Sequence, residues 1–309
     1  MKIYKNLLDY SATKKSVLTI GTFDGVHLGH QEVLKKVVKQ AKELNYESVL
    51  LTFFPHPRMV LQKDYDIKLL NTIEEKAQLL AKTGLQNLIV HPFNLEFSRL
   101  SAEEFVRDIL VQKLNIGKII IGYDHRFGRN RTANINDLIN FGNEYGFEVQ
   151  QISAEEINQT PVSSTKIRNA LLEGNITEAN CFLGYPYFIS GKVVHGKKLG
   201  RTLSFPTANI NVEEKHKLIP KNGVYVIKAK VKNNEYNGMM SIGTNPTVPN
   251  DVFTIEAHLF NFNEDIYNKE ITIQFLKRIR NEQKFSSITA LQCQLEKDKE
   301  FSLDFFKTK

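Results

Sequence analysis

The sequence predicts an α/β protein with two parts: a Rossmann-like, doubly wound parallel sheet, then a small antiparallel β-barrel with a C-terminal helix. Strands alternate with helices up to about residue 180, a pattern typical of parallel sheets. From Gly184 onward about six short strands follow one another, which favours a barrel. We therefore expect two domains, 1–183 and 184–309, in a chain of 309 residues.

Composition narrows the class of protein. The chain is 41% hydrophobic and 24% charged, which is typical of globular proteins. A net charge of +7 suits anionic partners such as nucleotides. The chain has neither an arginine-rich tail nor a long basic run, so we do not expect it to bind nucleic acid. The two cysteines, Cys181 and Cys293, are too few for a disulfide framework or metal site, so we expect them to pack in the fold. No stretch approaches the ~18 apolar residues of a membrane span, so we expect a cytoplasmic protein.

The segment Gly21–His30 reads GTFDGVHLGH and lies between a predicted strand and a predicted helix. The strand is Ser16–Ile20, and the helix is indicated by apolar residues spaced along one face from Val33 to Ala41. A glycine turn leading into a helix presents free N–H groups and the positive end of the helix dipole, which suits a phosphate. His27 and His30 are three residues apart and can face that phosphate together. There are two alternatives to a phosphate site. The histidines could bind a metal ion as a pair, or one could lie on the surface and the other in the core.

The other elements of the first domain follow in order. We predict a strand at 48–53, a loop at 54–58 that Pro55 and Pro57 keep out of a helix, and a helix at 73–83 that ends at Gly84. We then predict a strand at 88–90, a helix at 102–113 that begins with a capping box at Ser101, and a strand at 118–122. The loops 21–30, 54–58 and 122–131 all follow strands. In a parallel sheet they share one edge, where ligands bind.

Two further segments of this domain combine polar and charged groups. The loop 122–131 mixes aromatic residues with three arginines, and its position after a strand favours ligand contact over a solvated basic loop. Ser163, Ser164 and Thr165 precede an apolar run and are typical of a helix N-cap. The same segment offers hydroxyls and N–H groups, and Arg168 adds an anion-binding fork one turn later.

The second domain is rich in strand patterns. We predict strands at 188–194, 223–231, 237–242, 254–259 and 270–275, a turn at Asn233-Asn234, and a helix at 287–300 whose apolar face holds Ile288, Leu291 and Leu295.

Three residues of the second domain carry possible chemistry. Thr207 and Asn209 are two positions apart, so in an extended segment their oxygens point the same way and suit Mg²⁺. A polar β-turn is the alternative. Glu256 lies within a predicted strand, where a carboxylate is either exposed on the outer face or placed for a function.

Several motifs carry a family resemblance. GTFDGVHLGH resembles the (H/T)-x-G-H signature of nucleotidylyltransferases, in the form found in bacterial FAD synthetases, and S-S-T-x-I-R at 163–168 resembles their second motif. In the second domain, four segments resemble the flavokinase module. They are G-R-x-L-x-F-P-T-A-N at 200–209, P-K-N-G-V-Y at 220–225, I-G-x-N-P-T at 242–247 and E-A-H-L at 256–259. The whole chain thus resembles the bifunctional riboflavin kinase/FAD synthetase family.

This resemblance implies an enzyme that phosphorylates riboflavin with ATP to give FMN, then adenylylates FMN with a second ATP to give FAD and pyrophosphate. It implies Mg²⁺ as cofactor, ATP as co-substrate, and riboflavin and FMN as partners. The implied catalytic residues are His27, His30 and Glu256, the last as the base for the ribityl hydroxyl. The implied ATP or phosphate contacts are Gly21, Phe23, Asp24, Gly25, Ser164, Thr165 and Arg168. The implied flavin contacts are Phe54, Pro55, His56, Asp124 and Arg280, and the implied Mg²⁺ ligands are Thr207 and Asn209.

The sequence departs from the family pattern at His125, Pro161, Ser204 and Asn281. Two other functions compete with the implied one. The first is another nucleotidylyltransferase whose barrel only binds, against which Thr207, Asn209 and Glu256 argue. The second is a non-enzymatic nucleotide or RNA binder, suggested by the charge alone.

Overall fold

The structure is a computed structural model that describes residues 1–62, 67–122, 126–153, 162–196, 205–244 and 253–308. The chain divides into two compact units, Met1–Ser163 and Ser164–Lys309. The division falls before the helices at 164–183, which join the second unit. The predicted domain boundary at residue 183 stays a prediction.

The first unit is built on a six-stranded sheet in which every strand pair is parallel. Its strands are β1 (Lys2–Tyr4), β2 (Ser16–Ile20), β3 (Glu47–Phe54), β4 (Asn87–Pro92), β5 (Ile116–Gly122) and β6 (Glu148–Ile152). The order β1-β4-β3-β2-β5-β6 places the reversal of strand order between β2 and β5. The predicted doubly wound sheet is confirmed, and the glycine loop after β2 begins at this switch point, where such sheets bind ligands.

Helices connect these strands on both faces. They are α1 (Leu28–Leu44), α2 (Pro57–Leu61), α3 (Ile73–Ala81), α4 (Ala102–Glu104), which continues as a π-helix (Phe105–Lys113), and α5 (Ile135–Tyr145). Val33, Leu34 and Val37 of α1 are buried in the core on one face of the sheet, and the π-helix and α5 help to cover the other. The capping box at Ser101 is confirmed, since its hydroxyl accepts from the Glu104 amide.

One prediction for this unit was wrong, and one strand was missed. Residues 57 and 58 are helical, because Pro57 occupies the first position of α2, where a missing N–H costs nothing. The edge strand β1 was not predicted, since its three residues are largely exposed and carry no alternating apolar pattern. It pairs with β4 through its backbone, and Tyr4 packs against the core.

The second unit contains a closed antiparallel barrel of six strands in the order β10-β11-β8-β7-β12-β9. Its strands are β7 (Phe188–Val194), β8 (Ala208–Asn211), β9 (Gly223–Val231), β10 (Asn234–Gly243), β11 (Thr254–Leu259) and β12 (Glu270–Arg280). The predicted barrel is confirmed, and β8 supplies the sixth strand. The tight β9–β10 turn runs through Lys232 and Asn233, with Val231 paired to Asn234.

Among the described residues of this unit, three helices flank the barrel: α6 (Ser164–Glu173), α7 (Ile176–Leu183) and α8 (Ile288–Lys307). The helix start predicted at Ser164 is confirmed. Asn180 of α7 donates to the Phe275 carbonyl of β12 at 2.9 Å, which ties the helix to the barrel wall. Leu291 and Leu295 of α8 pack on Phe205 and neighbouring barrel residues. Ile288, predicted on the same face, is 59% exposed because it begins the first turn of the helix, away from that cluster.

The predicted packing role of the cysteines was also wrong, because Cys181 and Cys293 are both exposed free thiols. Of the helices in the described part of the chain, none combines the length and the apolar character that crossing a bilayer requires.

Candidate active sites in two units

The glycine loop of the first unit brings its two histidines into contact. His27 caps α1, and its Nδ1 accepts from the His30 amide at 3.4 Å. The two rings stack with centroids 3.6 Å apart, and the Phe23 ring lies 4.6 Å from that of His30. Both histidines therefore lie at the positive end of the α1 dipole, as the spacing predicted.

Burial keeps this pair uncharged. Removal from water lowers the pKa of His27 to about 4, against the opposing effect of the Asp24 carboxylate. Burial also lowers the pKa of His30 well below its ordinary value, and the neighbouring His27 and Lys76 add to that effect. At neutral pH the two rings offer hydrogen-bonding nitrogens and no net charge.

The loop itself is held in an unusual backbone conformation. Phe23 and Val26 have φ of 46° and 37°, in the left-handed region that β-branched residues avoid. Gly21 makes room for the Phe23 ring, which would lie 3.1 Å from a Cβ at that position. Strained backbone of this kind is maintained where surrounding contacts fix it, and it clusters at functional sites.

Asp24 is the residue that fixes the loop. Its carboxylate is 1% exposed and accepts from the Leu70 amide at 2.9 and 3.1 Å and from the Asn71 amide at 3.3 Å. The carboxylate therefore joins the glycine loop to the segment that leads into α3. Gly25, with φ of 86°, permits the turn that follows.

The predicted flavin segment lies at the same edge of the sheet. Phe54 ends β3 and is half-buried, and Pro55, joined to it by a cis peptide bond, is exposed. His56 caps α2 by accepting from the Arg58 amide at 3.1 Å. Because all strands are parallel, this segment and the glycine loop both extend from carboxyl ends.

Asp124 and His125 lie outside the described residues, but the end of their loop is described. Phe127 is buried against Phe105, and its backbone pairs with that of Ala133. Arg126 is exposed. The aromatic residue therefore anchors this loop to the core, and the arginine faces solvent.

The second phosphate motif forms the start of α6 in the second unit. Ser164 and Arg168 are half-buried and Thr165 is exposed, while Ile167 turns into the core. The polar residues of the motif thus share the accessible side of the helix, as its spacing predicts. Pro161 lies outside the described residues.

The barrel brings three predicted residues together. Asn209 of β8 and Glu256 of β11 are directly paired across the antiparallel ladder. The Thr207 hydroxyl donates to a Glu256 carboxylate oxygen at 3.1 Å. Glu256 is half-buried on the side of β11 opposite the core residues Ile255 and Ala257. The result is a compact set of oxygen ligands, with one carboxylate and two neutral groups.

A glycine and a cavity lie next to this cluster of Thr207, Asn209 and Glu256. A Cβ on Gly196 would overlap Nδ2 of Asn209, so the side-chain amide packs directly on the glycine backbone. Thr207 also lines a cavity of about 500 Å³, whose other lining residues include Val193, Leu259, Phe262 and Tyr267. The His195 ring lies 3.9 Å from that of Tyr267. Ser204 lies outside the described residues.

Arg280 is engaged in an ion pair. Its Nε donates to both carboxylate oxygens of Asp298 on α8 at 3.0 Å, and its Nη2 donates to one of them at 2.7 Å. Asp298 is 1% exposed and also accepts from Gln294. Asn281, where the family pattern has proline, accepts from Arg278 at 2.8 Å through its side chain. Arg280 therefore fastens α8 to the barrel, a role that the sequence did not indicate because its partner lies on a distant helix.

The fold and the two clusters define a class: one chain that combines a nucleotidylyltransferase-type sheet unit with a β-barrel unit of the flavokinase type. Comparison with known proteins specifies it further. The FAD synthetase family matches residues 9–166 and the riboflavin kinase family matches residues 183–306.

Relatives match over almost their whole length. The bifunctional riboflavin kinase/FMN adenylyltransferase of Listeria monocytogenes is 40% identical over 94% of this chain and 92% of its own. That of Escherichia coli K12 is 34% identical over 99% and 98%. A crystal structure described as a macrolide-efflux protein from Streptococcus pneumoniae superposes with a TM-score of 0.88 at 33% identity, covering 97% of this chain and 98% of that one. This chain belongs to the bifunctional riboflavin kinase/FMN adenylyltransferase family.

Proposed function

We propose that this chain carries the two activities of its family at two separate sites, an adenylyl-transfer site built on the glycine loop and a kinase site in the barrel. As a family member it converts riboflavin to FMN and FMN to FAD, with ATP as the co-substrate of both steps. The observation that carries the assignment of the kinase site is the contact of Glu256 with Thr207 and its pairing with Asn209.

In the kinase step, Glu256 acts as the base. A primary hydroxyl is a poor nucleophile at neutral pH, so a positioned carboxylate assists by accepting its proton. The ribityl oxygen then attacks the γ-phosphorus of ATP, the bond to the β–γ bridging oxygen breaks, and ADP leaves. The contact of the half-buried Glu256 with Thr207, which lines a cavity of about 500 Å³, supports this role.

The donor set beside Glu256 fits Mg²⁺. Thr207 and Asn209 would supply neutral oxygens, the ligand type that this cation takes, and substrate phosphates and water would supply the rest. The described residues contain no group of three or more His, Cys, Asp or Glu side chains that could hold a metal ion, so the assignment relies on neutral oxygens. When bound, Mg²⁺ neutralises phosphate charge.

In the adenylyl-transfer step, the glycine loop and the start of α1 receive ATP. An oxygen of the FMN phosphate attacks the α-phosphorus, and pyrophosphate leaves with the electron pair of the broken bond. The neutral His27 and His30 donate hydrogen bonds to phosphate oxygens as charge develops there. Asp24 holds the loop in place through the amides of residues 70 and 71. In this proposal, Gly21, Phe23 and Gly25 line the ATP site.

The remaining residues of the adenylyl-transfer step are assigned by resemblance. Ser164, Thr165 and Arg168 are assigned to the β- and γ-phosphates of ATP, and their half-buried or exposed positions on α6 leave them open to a ligand. Phe54, Pro55 and His56 contact the flavin from the carboxyl edge of the sheet, and the resemblance adds Asp124, which lies outside the described residues. The ion pair with Asp298 gives Arg280 a structural role, and the resemblance also assigns it to the flavin. Two exposed free thiols, Cys181 and Cys293, support a location in the reducing cytoplasm.

The decisive experiment incubates the purified chain with riboflavin and Mg-ATP and resolves FMN and FAD by chromatography. A parallel reaction starts from FMN and isolates the second step. Formation of FAD from FMN without formation of FMN from riboflavin would indicate a barrel that only binds. Absence of both products, with salt-sensitive RNA binding instead, would indicate the non-enzymatic alternative.

A further inference from the structure

A buried lysine lies beside the glycine loop of the first unit. Lys76, on α3, is 5% exposed, and its Nζ donates to the Thr22 carbonyl at 2.7 Å. Thr22 is the second residue of the loop, and its carbonyl also accepts from the Thr52 hydroxyl at 3.2 Å. Lysines are rarely buried so deeply, because removing an ammonium group from water costs free energy unless other groups compensate.

The charges around this lysine are few. Burial lowers the pKa of Lys76, and the Asp24 carboxylate opposes that effect. Asp24, however, already accepts from the amides of residues 70 and 71. Among the described residues, the Thr22 carbonyl accepts one of the three N–H groups of the Lys76 ammonium, which leaves two for another acceptor.

A second observation indicates that the same region is built to receive polar atoms. Both side-chain polar atoms of Asn71 are buried and lack a hydrogen-bond partner in the structure, and so does Nδ1 of His30. Asn71 is 1% exposed, and its backbone N–H donates to Asp24. Buried polar groups almost always have partners, so three such atoms near one loop indicate a place for a bound molecule.

We propose that Lys76 is a positioning residue of the adenylyl-transfer site, which fixes the glycine loop through Thr22 and supplies the buried positive charge of that site. The inference rests on the proposed function, because it takes the glycine loop as the place where ATP and the FMN phosphate react. Two phosphate groups that approach each other repel, and a fixed cation in a site of low dielectric offsets that repulsion.

The positive charge of Lys76 matters because the two neighbouring histidines are uncharged. Burial keeps His27 and His30 uncharged at neutral pH, since the pKa of each is lowered. The charged groups that face the pair are then Asp24 and Lys76. The Asp24 carboxylate is engaged by the backbone amides of residues 70 and 71, so Lys76 is the cation of this cluster that can attract a phosphate.

The test replaces Lys76 by Met, which removes charge and hydrogen bond, and by Gln, which keeps a donor for the Thr22 carbonyl and removes only the charge. Lys82, exposed at the end of the same helix, is replaced by Gln as the matched control. We expect both Lys76 variants to lower kcat for FMN to FAD about a hundredfold. Formation of FMN from riboflavin, and both activities of the Lys82 variant, should stay unchanged.

Two further measurements separate charge from structure. Histidine C2-proton titration by NMR should show the pKa of His30 rising in Lys76→Gln, because a repelling cation is gone. In wild-type protein labelled at lysine Nζ, Mg-pyrophosphate should shift one buried resonance, a result that needs no variant. A wild-type rate of FAD formation in Lys76→Gln, or no shift on adding Mg-pyrophosphate, would overturn the proposal. Failure of the wild-type chain to form FAD would instead overturn the proposed function.

Discussion

Glu256 on β11 lies directly opposite Asn209 on β8, and the Thr207 hydroxyl donates to the same carboxylate at 3.1 Å. Directly paired residues of an antiparallel ladder have side chains on the same face, only about 5 Å apart at Cβ. The register of two strands thus assembles the proposed kinase site, and a shift by one residue would separate its parts.

Glu256→Gln should abolish formation of FMN from riboflavin and leave conversion of FMN to FAD close to wild type. Gln retains the size of the side chain and can accept from Thr207, but it cannot take a proton. Each step is followed by chromatography from its own substrate. A wild-type rate of riboflavin phosphorylation would show that Glu256 is an ordinary surface residue.

His27→Ala and His30→Ala should each lower FAD formation by roughly a hundredfold, about 3 kcal/mol of transition-state stabilisation, and spare FMN formation. His27 also caps α1, so its removal costs about 1 kcal/mol of stability. His27→Asn keeps a capping group and separates the two effects. Equal loss of both products in a folded variant would contradict the assignment of two separate sites.

Lowering the pH should destabilise the folded protein, because His27 must then take up a proton. Its folded pKa is about 4 and its ordinary value is 6.5, so its neutral form stabilises the fold above pH 6.5. That contribution is lost as the pH falls from 6.5 towards 4, because the unfolded chain binds the proton first. At pH 5 the loss amounts to about 2 kcal/mol. Between pH 7 and pH 5, wild type should therefore lose more thermal stability than His27→Asn. Identical pH profiles, or a pKa near 6.5 by NMR, would contradict the buried neutral state.

Asp298→Asn should destabilise the second unit by about 3 kcal/mol, because it leaves the Arg280 guanidinium without its charged partner. Arg280 and Asp298 are 18% and 1% exposed, so water replaces the lost contact poorly. Asp304→Asn, on the same helix in a pair with Lys307 that is more than two-thirds exposed, is the matched control and should change little. Thermal denaturation measures both. Equal effects would show that Arg280 is not the anchor of α8.

Gly196→Ala should lower riboflavin phosphorylation about tenfold or more and raise the Mg-ATP requirement of that step. The added methyl would overlap the Asn209 amide, which must turn away from the cluster. Conversion of FMN to FAD, measured in the same preparation, is the internal control. An unchanged Mg-ATP dependence would mean that the position of Asn209 is not critical.

Local patterns were sufficient to predict most elements. The strand, glycine turn and helix at 16–44, the capping box at Ser101 and the helix start at Ser164 all depend on neighbouring residues, so their signals are in the sequence. The parallel sheet followed from the alternation of strands and helices. Errors occurred where the local signal is weak or two-sided, as with the edge strand β1 and with Pro57, which both stops and starts helices.

The amino-acid sequence was enough to identify the chemically active groups: the histidines of the glycine loop, the hydroxyls before Arg168, and the oxygens at 207, 209 and 256. Which residues each group contacts depends on how the chain folds. Strand register paired Glu256 with Asn209, packing of α3 placed the Lys76 ammonium against the Thr22 carbonyl, and docking of α8 engaged Arg280 with Asp298. These contacts join residues far apart in the chain, and long-range pairing depends on the packing of whole elements, so no local pattern encodes it.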